Sequence, residues 1–163
     1  MLIAILIGTA LTVADTPAPQ FTMADCDDPA ARRKLLATDP EKLPALEALR
    51  SVTTQNEARM DKLISRLAER AGLTPEQRSE MAIGMFESPQ VKPLFEEGMG
   101  LANQMLADVD AIVGSKDELQ TCRTIVHLTS LVPAVDANAN RQWDALRGLV
   151  EAEAKRQGVS LAD

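Results

Sequence analysis

Residues 58–86 read ARMDKLISRLAERAGLTPEQRSEMAIGMF. In the first half of this stretch, apolar residues recur at intervals of three and four, which is the spacing of one face of an α-helix. Gly72 follows, and glycine is common just after a helix because it adopts a left-handed backbone without strain. Thr74 then precedes Pro75 and is followed three residues later by Gln77, which is typical of a capping box. The stretch therefore predicts two helices joined by a short connection.

The same start and stop signals divide the rest of the chain into further helices. We expect helices over 28–37, from 43–45 to Ala71, from Thr74 to about Glu87, from between Pro89 and Pro93 to Gly114, from a capping box at Ser115 to Pro133, and over 134–157, with a further start at Asp39-Pro40. In the helix that ends at Gly114, we expect one buried stripe formed by Leu94, Phe95, Leu101, Met105, Val109 and Ile112. Within the same helix, Gly98-Met-Gly100 predicts close contact with another helix.

Composition supports an all-α fold. Aromatic residues are only 2% of the 163 residues, and strands favour aromatic and β-branched side chains. No segment alternates between apolar and polar residues as a half-buried strand would. We predict an antiparallel bundle of about five or six helices, forming a single domain over residues 28–163 that follows an N-terminal linker, residues 15–27.

The N-terminus is apolar. Residues 2–14 contain no charged residue and are followed directly by Asp15. A membrane-spanning helix needs about 20 apolar residues, so this run is too short to be an anchor. Its length is typical of a signal peptide, which predicts removal of residues 1–14 and export to the periplasm or beyond, without a transmembrane anchor in the mature form. A buried N-terminal helix or strand is the alternative.

The chain has two cysteines, Cys26 and Cys122. In an oxidising compartment the simplest outcome is one disulfide between them. A redox or metal-binding pair is the alternative, but the C-x-x-C spacing typical of such pairs is absent. We therefore predict a structural bridge that ties the N-terminal segment to the helical body.

The inventory of reactive residues argues against an enzyme. His127 is the only histidine, and the sequence contains no H-E-x-x-H, G-x-S-x-G or phosphate-loop motif. Cys122 and His127 would lie about 140° apart on a helix, so they would not face each other. We expect His127 at the edge of the core, and we assign no catalytic residue, cofactor or metal.

Charge argues against a nucleic-acid partner. The formal net charge is −7, and basic residues are not interleaved with aromatic ones. Residues 29–71 hold nine bases and six acids, whereas residues 72–118 hold three bases and nine acids. We interpret this asymmetry as a match between two parts of the same molecule.

Methionine is the one unusual feature of the helical region. Flexible thioethers fill cores, line adaptable grooves and also bind Cu(I). Core filling is the plainest interpretation, and a copper site is a further alternative. As a candidate client groove we take Met81, Met85, Phe86, Met99 and Met105.

Leu73, Thr74 and Gln77 form a short motif, Leu-Thr-Pro-Glu-Gln. It resembles the LTxxQ motif of Spy-like periplasmic stress proteins and chaperones, and the resemblance covers five residues. It implies an exported, all-α chaperone that works without ATP and shields unfolded clients.

These observations favour an exported, non-enzymatic helical protein that acts by protein–protein binding at the cell envelope. A chaperone with a methionine-lined client groove is the second hypothesis, and a Cu(I)-binding protein is the third. The identity of the partner and the oligomeric state are left open by the sequence.

Overall fold

The computed structural model describes residues 21–38 and 44–162. These residues form seven α-helices and no strand, which confirms the predicted all-α bundle. The helices are α1 (Met23–Asp27), α2 (Pro29–Leu36), α3 (Pro44–Ala71), α4 (Pro75–Phe86), α5 (Lys92–Gly114), α6 (Glu118–Ser130) and α7 (Val132–Gln157). Residues 1–20, which include the predicted signal peptide, and the helix start predicted at Asp39-Pro40 lie outside the described residues.

Two of the predicted helix caps are present as hydrogen-bonded structures. At the start of α2, the Ala30 amide donates to the Asp28 carboxylate at 2.9 Å. At the start of α4, the Gln77 amide donates to Thr74 Oγ1 at 3.3 Å, and the Thr74 amide donates to Gln77 Oε1 at 2.9 Å. These bonds satisfy amides that a helix leaves without internal partners, so they fix where each helix begins.

Three local expectations need correction. The cap of α6 is Asp117 and not Ser115, because the Asp117 carboxylate accepts from the amides of Leu119 and Gln120. α7 begins at Val132, before Pro133, since proline is tolerated in the first turn, where its missing N–H costs nothing. The segment expected to be a linker contains the short helix α1, which brings the number of helices to seven.

The core is divided into two clusters. The first, which we call the central cluster, joins α3, α4 and α7 and consists of Ile64, Leu67, Met85, Val91, Leu146, Val150 and Ala154. The second, the disulfide cluster, joins α1, α2 and α6 and consists of Cys26, Leu35, Cys122, Ile125 and Val126. α5 packs on α6 and α7 and thereby connects the two clusters.

Cys26 and Cys122 form the predicted disulfide. Their Cα atoms are 5.7 Å apart, within the usual range for a bridge, and neither residue is exposed to solvent. The bridge spans 96 positions of sequence, for which chain-entropy estimates of stabilisation reach about 4–5 kcal/mol. It fixes α1, and through it α2, to α6.

Gly98 allows α5 to approach α7 closely. A Cβ at this position would lie 2.8 Å from Asn138 Oδ1 and 2.9 Å from Gln142 Nε2. Both of these side chains donate to the carbonyl oxygen of Leu94, at 3.0 Å and 3.1 Å. The predicted close contact is therefore confirmed at Gly98, whereas nothing lies within 4 Å of a Cβ built at Gly100.

Candidate functional site

A groove of about 940 Å³ lies between α3 and α4, beside α7. Its lining is mostly apolar and includes Met60, Ile64, Phe86, Phe95, Trp143 and Leu146. Trp143, the only tryptophan of the chain, is half-buried there. A concave apolar surface of this size is typical of a binding site.

Polar side chains line the rest of the groove. Arg78 of α4 pairs with Asp61 of α3 at 2.7 Å, and because both side chains are exposed the pair contributes little stability. Asn56 Nδ2 is buried and has no hydrogen-bond partner within the described part of the chain. Because a buried donor without a partner is costly, this amide is suited to donating to a carbonyl or hydroxyl group of a bound molecule.

Phe95 belongs both to the groove and to the outer surface of α5. Its ring contacts that of Phe86 edge-on, with centroids 5.2 Å apart, and it is 39% exposed. The contact joins α4 to the beginning of α5, so the groove ends where the exposed face of α5 starts.

That exposed face carries a row of apolar side chains. We call it the α5 stripe, and it consists of Phe95, Met99, Ala102, Leu106, Val109 and Val113. Met99 is 60% exposed, Leu106 62% and Val113 82%, and no residue of α5 is fully buried. Intervals of four and three alternate along the stripe, which is the spacing of the seam in a helix–helix interface. Contiguous exposed apolar surface marks interaction sites in soluble proteins.

The α5 stripe corrects a prediction from the sequence. The single buried stripe expected for this helix included Phe95 and Val109, which are 39% and 43% exposed. The other four expected residues are half-buried on the face that packs on α6 and α7: Leu94, Leu101, Met105 and Ile112. Phe95 lies about 100° and Val109 about 60° of helical rotation away from the centre of this inner face, so both turn outward.

The five residues of the candidate client groove lie in different surroundings. Met85 is buried in the central cluster, and Met81 packs against it. Both also line a second depression, between α4 and α7. Phe86 lines the main groove, Met99 belongs to the α5 stripe, and Met105 is half-buried on the inner face of α5.

The three residues of the LTxxQ-like motif lie where α4 begins. Leu73 and Thr74 line the main groove, and Gln77 lines the second depression. Thr74 and Gln77 also form the capping box, so the motif residues act structurally at the start of α4.

The single histidine forms a pair that sequence reasoning did not find. His127 Nδ1 of α6 lies 2.7 Å from Asp108 Oδ2 of α5. The His127 side chain is 49% exposed and that of Asp108 17%. The pair connects the two helices at the surface. The sequence does not predict it, because the partners are 19 positions apart and lie on different helices.

Salt bridges neutralise part of the charge on the surfaces of α5 and α7. Lys92, the only basic residue of α5, donates to the Glu87 carboxylate at 2.9 Å, and this hydrogen bond raises the pKa of Lys92. At the end of α7, hydrogen bonds from Arg156 and Gln157 lower the pKa of Glu153. α5 therefore retains acidic groups at its surface and offers no unpaired base.

Residues 21–38 and 44–162 include no helix that combines the length and the apolar character needed to cross a bilayer. The same ranges hold no cluster of three or more His, Cys, Asp or Glu side chains arranged to bind a metal ion. No family model matches the chain, and no curated protein or solved structure is significantly similar to it.

Proposed function

We propose that the chain is an exported, non-enzymatic protein that binds a protein partner at the cell envelope. The observation that carries this proposal is the position of Phe95. Because its ring lines the groove and also begins the α5 stripe, groove and stripe form one apolar surface on the outside of the bundle. Such a surface suits a protein segment better than a small molecule, since it is long and open along one helix.

Export is supported by two independent features. The buried bridge between Cys26 and Cys122 supports export, because disulfides form and persist mainly in compartments where thiols are oxidised. Residues 2–14 have the length and the uncharged composition of a signal-peptide core. The mature protein would then work in the periplasm or outside the cell.

Binding energy would come mainly from the exposed side chains of the stripe. Burying a Leu or Met side chain contributes about 1.5–3 kcal/mol, and a few such residues supply most of the affinity of an interface. Met99 and Leu106, both about three-fifths exposed, lie within the stripe. A partner residue entering the groove would contact Trp143 and could accept a hydrogen bond from Asn56.

Affinity purification from the envelope fraction tests the proposal when two variants are compared. Leu106→Gln removes an apolar side chain from the stripe, whereas Ile83→Gln changes a side chain of similar exposure on α4, outside it. We expect the same partner to be recovered with the wild type and with Ile83→Gln and to be lost with Leu106→Gln. Recovery that does not differ between the two variants contradicts the proposal.

A chaperone of the LTxxQ type is the second candidate. It is favoured by Leu73 and Thr74, which line the groove, and by the exposed thioether of Met99. Suppression of client aggregation, measured by light scattering at several-fold molar excess of the protein, separates the two candidates. A specific binder leaves unrelated clients to aggregate, whereas a chaperone protects them.

A further inference from the structure

We propose that the partner seated on the α5 stripe is an amphipathic α-helix that carries lysine or arginine beside its apolar face. This inference rests on the proposed binding function and specifies the chemistry of the partner. It is carried by the spacing of the stripe and by the acidic side chains along one of its two edges.

The spacing favours a helix as the occupant. From Phe95 to Val113 the stripe covers 19 residues of α5, and the 18 steps between its ends amount to about 27 Å of helix. Alternating intervals of four and three place the apolar side chains in one seam, and only a second helix presents side chains with the same period along such a seam. An extended strand presents a side chain to one face at every second residue, which does not match this period.

The edges of the stripe differ in charge. One edge is formed by the residues that directly follow Phe95, Ala102 and Val109, which are Glu96, Asn103 and Asp110. Glu96 and Asp110 are exposed, and neither forms a salt bridge within residues 21–38 and 44–162. The only base of α5, Lys92, is paired with Glu87, and the charge of Glu96 also helps to raise the pKa of Lys92. A partner with basic residues at this edge would therefore gain two ion pairs.

The other edge of the stripe is formed by Gly98, Met105 and Ile112 and carries no charge. A second copy of this chain is therefore a poor occupant. Glu96 and Asp110 are equally distant from Asn103 in the sequence. Antiparallel pairing of two α5 helices centred on Asn103 would therefore place Glu96 of one copy beside Asp110 of the other. Like charges in contact destabilise an interface. Parallel pairing would place the acidic edge of one copy against the uncharged edge of the other. The acidic side chains would then find no basic partner.

Two synthetic helical peptides test the inference on the disulfide-bonded, exported protein. Each peptide has three heptads, with leucine at the seam positions. The two peptides differ only at the positions that flank the seam, where one carries lysine and the other glutamate. At low salt we expect the lysine peptide to bind about tenfold more tightly than the glutamate peptide, because two ion pairs replace two repulsions. Raising the salt concentration to about 0.5 M should narrow this difference, since surface charges are then screened.

Variants of the protein locate the binding. Leu106→Gln should weaken binding of the lysine peptide about tenfold or more, whereas Ile83→Gln should leave it unchanged. The double variant Glu96→Gln, Asp110→Asn should remove most of the preference for lysine while the protein stays folded, because both carboxylates are exposed.

Three results would overturn the inference. The first is equal binding of the two peptides or binding of neither. The second is equal weakening by Leu106→Gln and Ile83→Gln. The third is a dimer of the protein that Leu106→Gln dissociates, which would make a second copy the occupant. If an envelope partner is still lost only with Leu106→Gln while the peptides show no preference, the binding function stands and this inference fails.

Discussion

The rings of Phe86 and Phe95 meet at 85°, with their centroids 5.2 Å apart. Phe86 packs against the central cluster, while Phe95 is 39% exposed at the start of the α5 stripe. One aromatic contact therefore links the buried core to the surface that we propose for binding. A partner that enters the groove also meets the first residue of the stripe.

Replacing the two phenylalanines should separate stability from binding. Phe86→Ala should lower the free energy of unfolding by about 2–4 kcal/mol, because it leaves a cavity beside the central cluster. Phe95→Ala should cost only about 1 kcal/mol, mainly the aromatic contact, and should weaken partner binding. Urea unfolding and binding measured on the same samples check both effects. An equal loss of stability in the two variants would contradict the assigned positions.

Removal of the disulfide should destabilise the protein. We expect the double variant Cys26→Ser, Cys122→Ser to lose about 2–5 kcal/mol of unfolding free energy, because the bridge restricts the unfolded chain over a long loop. Urea unfolding of this variant, compared with the wild type with and without reductant, checks the expectation. Two free thiols in the native protein purified after export, measured by mass spectrometry, would refute the bridge.

The two glycines of α5 should respond oppositely to alanine. Gly98→Ala should be destabilising, because its Cβ would lie 2.8 Å from Asn138 Oδ1. The Asn138 side chain cannot easily move away, since it is buried and its Nδ2 donates to the Leu94 carbonyl oxygen. Gly100→Ala should stabilise by about 0.5–1 kcal/mol, since that site is open and alanine favours a helix. Thermal unfolding of the pair checks the close approach of α5 to α7. Stabilisation by both substitutions would show that the helices are further apart.

Stability should fall on acidification in part through Glu153. Hydrogen bonds from Arg156 and Gln157 lower its pKa in the folded protein, so the unfolded chain binds the proton more tightly. The resulting stabilisation is present above the usual pKa of a glutamate in an unfolded chain and is lost as the pH falls through the lower folded pKa.

The matched variants are Glu153→Gln and Glu151→Gln. Unfolding measured from about pH 6 to pH 3 should show a shallower loss of stability for Glu153→Gln than for the wild type. Glu151 lies on the same helix, and its side chain is 62% exposed, 3.8 Å from Arg147, so its replacement should leave the slope nearly unchanged. Equal slopes for Glu153→Gln and the wild type would contradict the role given to Glu153.

Local signals in the sequence predicted much of the fold. Asp28 and Thr74 cap helices as expected, and Gly72 takes the left-handed conformation after α3 with φ 65°. These features depend only on residues a few positions apart, so the sequence alone is sufficient to place them. The bridge between Cys26 and Cys122 could be predicted because the chain has only two cysteines.

The candidate site could not be predicted in the same way. α5 has apolar residues on two adjacent faces, and only its packing on α6 and α7 determines which face stays exposed. The pair between Asp108 and His127 and the groove beside Trp143 also require helices to be brought together. The sequence does contain one relevant signal, a second series of apolar residues from Phe95 to Val113. Most of its members directly follow a residue of the inner face.

Photo-crosslinking tests the central claim most directly. A photoreactive amino acid in place of Leu106, on the α5 stripe, is compared with the same group in place of Ile83, which is similarly exposed on α4. In cells that export the protein, we predict one discrete adduct with an envelope protein from position 106 and none from position 83. No adduct from position 106, or the same adducts from both positions, would contradict the account.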